Sequence, residues 1–110
     1  MAMDAVLIAA DTALRTLFVP PRASRPCATL PQETAELPDG ERRLSGSLMR
    51  VNHVGEICAQ ALYTSQALAA RMRGHEEQLV RQLEAAGQEE VDHLAWTQQR
   101  LDELGDRPSL

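Results

Sequence analysis

Apolar and polar positions along this chain alternate with the period of helices, in three unequal blocks. Over residues 3–18, Val6, Leu7, Ala10, Leu14, Leu17 and Phe18 recur at helical spacing, with Asp4, Asp11 and Arg15 between them. A short amphipathic helix is expected, packed on the main body. Two acidic residues and one Arg make it a poor membrane-binding face. Residues 19–40 then hold Pro20, Pro21, Pro26, Pro31 and Pro38, a density that no regular element survives. An irregular linker is expected there, with no chemistry visible in it.

A long helix is expected from Asp39, as N-cap, to about Arg73. Its stripe comprises Leu44, Leu48, Asn52, Gly55, Ala59, Leu62, Tyr63, Gln66 and Ala70, with Glu56 at the edge. Arg71 and Arg73 suit the negative end of the helix, and Gly74 is a natural stop. A second helix is expected from about His75 to Leu104. Its stripe is Leu79, Leu83, Ala86, Glu90, His93, Leu94, Thr97, Leu101 and Leu104. Gly105 ends it and Pro108 follows. The chain thus divides into a short helix at 1–18, a Pro-rich linker at 19–40 and an antiparallel helical hairpin at 41–110.

An ionisable pair, Glu90 and His93, sits in the middle of an otherwise apolar stripe. Residues three apart on a helix are neighbours on one face, so both side chains reach one point in space. Carboxylate with imidazole suits iron, manganese or zinc better than calcium or magnesium. The hairpin supplies a further test. Glu56 lies 18 residues before Gly74 and Glu90 lies 16 after it. At about 1.5 Å of rise per residue these are roughly 27 and roughly 24 Å from the turn. Glu56, Glu90 and His93 therefore reach nearly the same height.

A carboxylate buried alone costs several kcal/mol or takes up a proton, and a divalent cation removes that cost. Di-iron carboxylate bundles carry one Glu from each of two helices and a Glu-x-x-His from each of the other two. This chain supplies one helix of each kind, which is half of such a site. The competing reading is a solvated, salt-bridging Glu90/His93 pair and a surface Glu56. Gly55 and Gly87 are expected to allow close approach beside the ligands. Glu89 and Asp92 are expected either to orient a ligating His or to lie on the wet side of the helix. His53 reads as at most a support to the ligands and otherwise as a surface or capping histidine, Trp96 as core and Cys58 as a small buried hydrophobe. Tyr63 is placed to approach a metal-bound species or simply to pack. His75, in the turn, has no assigned role.

Composition narrows the function classes. The chain has 110 residues, enough for one small domain, and a net charge of −5 argues against nucleic acid as a partner. All eleven basic residues are Arg, so Schiff-base and Lys-nucleophile chemistries are excluded. Cys27 and Cys58 have no metal-ligand or redox spacing, and reduced thiols in a cytosolic compartment are the simplest reading. No run approaches the roughly 20 apolar residues that span a bilayer. No Gly-rich phosphate loop or Ser/His/Asp set is apparent.

The run from Leu48 to Tyr63, containing Asn52-His53-Val54-Gly55-Glu56, and the run Glu89-Glu90-Val91-Asp92-His93-Leu94-Ala95-Trp96 resemble the demethoxyubiquinone hydroxylase family. The closing residues 104–110 match at the corresponding place. The resemblance implies an all-α, ferritin-like fold with Glu56, Glu90 and His93 as metal ligands. It implies iron as cofactor, two per complete site, and a monooxygenase of ubiquinone biosynthesis. The implied substrates are O2 and the ring of a polyprenyl methoxy-benzoquinol, with peripheral association on the cytoplasmic side of the cell membrane. Individual catalytic residues are not assigned, since the chemistry is metal-centred.

Members of that family are about twice as long and carry a second Glu and a second Glu-x-x-His on later helices. Three of six ligands are present here. Truncation of a longer protein is the expected cause, ahead of a homodimer that restores four Glu and two His by two-fold symmetry. Two further readings compete: a non-enzymatic hairpin that associates with other helices, and a mononuclear zinc or iron site.

Overall fold

A computed structural model describes residues 1–27 and 36–109, so part of the expected linker, residues 28–35, lies outside the described residues. Three helices are present and no strand occurs among the described residues: α1, Ala2–Phe18; α2, Asp39–Arg73; α3, Glu77–Glu103. α2 starts one residue earlier than its expected cap implies. Pro38 precedes the helix at φ −55° and its carbonyl accepts the Arg42 N–H, so Asp39 is already the first helical residue. Asp39 and Glu41 then place negative charge on the positive end of the helix.

Gly74 closes α2 in the left-handed region at φ +84°, a conformation that costs glycine nothing. α3 ends in a Schellman motif. Gly105, at φ +69°, donates its N–H to Asp102 O at 3.1 Å, and Asp106 donates to Leu101 O at 2.9 Å. Side-chain contacts pair Arg71 with Glu84 and Glu56 with His93, and Arg50 with Ser109. Descending numbers on one helix against ascending numbers on the other make the hairpin antiparallel. Its start, at Glu77 rather than His75, leaves His75 exposed in the turn.

The face of α2 turned toward α3 differs from the expected stripe. Gly46, His53, Gln60 and Ala67 are the buried positions, at intervals of seven, with Ala70. Leu44 and Leu48 are instead 61% and 63% exposed, and Asn52, Gly55, Leu62 and Gln66 are exposed too. α2 has two faces able to pack, one of small and polar residues and one of large apolar residues. The hairpin covers only the first, and Leu94, Leu101 and Leu104 of α3 are buried in it. α3 keeps its expected inner face apart from Leu79, which is exposed near the turn.

α1 packs on α2, as expected, but through Ala5 and the half-buried Ala9, Thr12 and Thr16. Leu7, Leu14, Leu17 and Phe18 point outward. Cys58 is exposed rather than buried, since it lies on the uncovered face of α2. His53 is buried rather than at the surface, since it lies on the covered one.

Candidate metal centre

Glu56 comes from the middle of α2, and Glu90 and His93 from the middle of α3. Regular helix on both sides of the turn carries them to one level, as equal rise per residue requires. His93 Nδ1 lies 3.4 Å from Glu90 Oε2 and 3.5 Å from Glu56 Oε2. One potential ligand atom from each of the three residues lies within 4.8 Å of the others. Both carboxylates are mostly covered while His93 is 40% exposed, so the cluster opens to one side.

Its electrostatics are unfavourable without a positive centre. Glu90 Oε2 is buried and receives no hydrogen bond among the described residues. Burial pushes the Glu56 pKa up to about 7, with the hydrogen bond and negative charge of Glu90 adding to the rise and His93 opposing it. Two carboxylates facing each other in a partly dry site hold a proton that either would lose in water. An acceptor without a donor, beside a second carboxylate and an imidazole nitrogen, fits a divalent transition metal by donor chemistry.

Neighbouring residues correct several expectations. His53 is buried, its Nδ1 has no hydrogen-bond partner among the described residues, and burial lowers its pKa. Gln60 is also buried, with its carboxamide lying over Gly87. A Cβ at Gly87 would stand in ordinary contact with that carboxamide, and one at Gly55 would meet nothing, so neither glycine is required for close approach. Trp96 is half-buried rather than core, and Tyr63 is half-buried as well.

The largest departure concerns Asp92. It is 1% exposed, and neither on the wet side of the helix nor bonded to His93. Its carboxylate accepts the Ser24 N–H at 2.7 Å, the Ser24 hydroxyl at 2.9 Å, the Arg25 Nε–H at 3.1 Å and the Gln88 amide at 3.5 Å. Burial alone would raise its pKa; the donors from Ser24, Arg25 and Gln88 outweigh that and hold it below the usual carboxylate range. Trp96 Nε1–H donates to the Arg25 carbonyl at 3.1 Å, and the Arg25 guanidinium lies 5.7 Å from the Trp96 ring centre. The Trp96 ring in turn stands 5.5 Å from that of His93. Ser24 and Arg25 belong to the linker expected to hold no chemistry. The only local sign was an Asp on α3 with no basic residue one turn away.

Known proteins place this geometry in context. The family profile described as "Ubiquinone biosynthesis protein COQ7" matches residues 43–110, a span containing all three clustered residues. A "3-demethoxyubiquinol 3-hydroxylase" of Polaromonas naphthalenivorans (strain CJ2) is 60% identical over 109 residues, covering 99% of this chain and 50% of that protein. The protein of the same name from Variovorax paradoxus (strain S110) is 58% identical over 108 residues, covering 98% and 50%. The chain spans about half the length of the curated relatives it matches. No solved structure matches it.

Proposed function

Because the chain belongs to the family of the ubiquinone biosynthesis protein COQ7, we propose that Glu56, Glu90 and His93 are ligands of a two-iron centre of which this chain supplies half. The observation that carries the reading is the buried Glu90 Oε2, without a donor among the described residues, beside His93 Nδ1 of its own helix and Glu56 across the hairpin. Glu90 Oε2, Glu56 and His93 Nδ1 would hold a cation at that point, and Glu56 would give up the proton it keeps up to about pH 7. Iron, when bound, supplies the redox chemistry with O2 by which the ring of a polyprenyl demethoxyubiquinol is hydroxylated. The chain's own residues hold the ligand geometry and exclude water from the carboxylates. The name of the relatives, 3-demethoxyubiquinol 3-hydroxylase, supports a demethoxyubiquinol as substrate.

The other ligands come from a second pair of helices. α2 displays the surface such helices need: Leu44, Leu48, Val51, Gly55, Cys58 and Leu62 alternate at spacings of four and three, and all are exposed. This is the seam of a helix bundle without its partner. A second copy of the chain brings a matching seam and the matching ligands, giving four Glu and two His by two-fold symmetry. The other half of a longer protein does the same within one chain.

No helix of the described residues is long and apolar enough to cross a membrane. An apolar tail on the substrate favours peripheral attachment at the cytoplasmic face of the cell membrane. Asp4, Asp11 and Arg15 weaken α1 as a membrane-binding face, but its outward Leu7, Leu14 and Phe18 support that placement, as does an apolar groove of about 430 Å³ between α1 and α2 lined by Val6, Ala13, Leu17, Ile57 and Ala61.

Mass and iron content measured together on protein loaded with ferrous iron test the reading. The expected result is a dimer with one iron per chain, and loss of iron in Glu90→Ala. A monomer that takes up no iron, with stability unchanged by Glu90→Ala, would leave this chain a non-enzymatic helical hairpin. One metal per two chains would instead favour a mononuclear site.

A further inference from the structure

We propose that residues 20–27 form a strap that positions His93, clamped onto α3 by Asp92 and transmitted through Trp96. The inference deepens the metal-centre reading and rests on it for the final step. A carboxylate as deeply buried as Asp92 is stable only when its lone pairs are filled. α3 itself offers it one donor, the Gln88 amide at 3.5 Å. The strap offers the rest: the Ser24 N–H, the Ser24 hydroxyl and the Arg25 Nε–H, all within 3.1 Å. Asp92 therefore sets where the strap lies.

Trp96 is four residues beyond Asp92 and three beyond His93, so it stands beside both on the helix surface. Its indole is held at two points by Arg25, through the carbonyl at 3.1 Å and through the guanidinium over the ring. The same indole stands 5.5 Å, centre to centre, from the His93 ring, the two planes tilted at 44°. His93 is the most exposed of the three clustered residues and has the greatest freedom to turn away. A fixed Trp96 limits that freedom and keeps Nδ1 toward Glu56 and Glu90. Pro20, Pro21 and Pro26 restrict the unclamped strap, which lowers the entropy lost when it docks. By linkage, a metal that fixes His93 also tightens the strap.

The test uses the full chain as wild type, Ser24→Ala and Asp92→Asn, with Ser24→Ala as the variant that leaves α3 unaltered. Three readouts are compared: the rate of tryptic cleavage after Arg22, the His93 ring resonances of metal-free protein, and Co2+ affinity. The expected result for Ser24→Ala is several-fold faster cleavage after Arg22, His93 ring signals shifted and broadened, and Co2+ bound about tenfold more weakly. Helical content should stay unchanged, and Co2+ should slow Arg22 cleavage in the wild type. Faster cleavage with unaltered His93 signals and unaltered Co2+ affinity would overturn the proposal and leave the strap a structural clasp. A wild type that binds no Co2+, with His93 signals that still respond to Ser24→Ala, would sink the metal-centre reading while supporting the positioning of His93.

Discussion

Glu56 carries its proton up to about pH 7 because burial and the facing Glu90 both oppose its charge. Its folded pKa is raised above the unfolded value, so the native state binds the extra proton between the two. Its contribution therefore weakens the fold as pH rises from about 4.5 toward about 7. Metal binding has the opposite appetite. Since a ligating carboxylate must be ionised, Fe2+ or Mn2+ affinity should fall about tenfold per pH unit below about 7, with a proton released on binding. Calorimetry in buffers of different ionisation enthalpy measures that proton. The same slope in Glu56→Gln would show that another group is responsible. His53 and Asp92 act in the other direction. Both have folded pKa values below their ordinary ones, by burial for His53 and by donors from Ser24, Arg25 and Gln88 that outweigh burial for Asp92. Each contributes stability that is lost as pH falls, below about 6.5 for His53 and below about 4 for Asp92.

At the scale of helices, α3 is legible and α2 is only half so. The apolar stripe of α3 faces the hairpin interior because its Leu residues have no rival face. α2 has two, and the one with larger side chains is left outside. Hydrophobic periodicity ranks faces by side-chain size, while the contact between α2 and α3 buries a face of small and polar residues, with Gly46 at the level of the Leu-rich end of α3. Leu101 is fully buried at that contact. Leu101→Ala should destabilise the hairpin by about 2–5 kcal/mol, the range for a large-to-small change in a core. Thermal unfolding followed by circular dichroism checks this, and a loss under about 1 kcal/mol would mean the contact is not the one that holds the helices together.

The whole molecule is long and thin, 53 × 24 × 18 Å. An α-helix with its side chains is about 10 Å across, so the body is scarcely two helices thick in its narrow direction. Such a shape buries little apolar surface and leaves the Leu44–Leu48–Val51–Leu62 seam uncovered. Leu48→Glu combined with Val51→Glu should abolish self-association in sedimentation and lower iron retention, while helical content of the chain is kept. Persistence of the dimer in that variant would place the complementing surface elsewhere.

Sequence alone was enough for the helices, their turn, and the meeting of Glu56, Glu90 and His93 at one level, since rise per residue is a local property and a short turn forces the return path. Their proposed use rests on that same meeting, because carboxylate with imidazole at a three-residue spacing is a donor set that suits a transition metal. Tertiary structure decided what depends on contacts between distant residues. It chose the small face of α2, drew His53 inside, left Cys58 out, and brought Ser24 and Arg25 across 68 and 67 residues to Asp92. No periodicity marks such a contact, because a buried carboxylate is satisfied by whichever donors the fold brings to it.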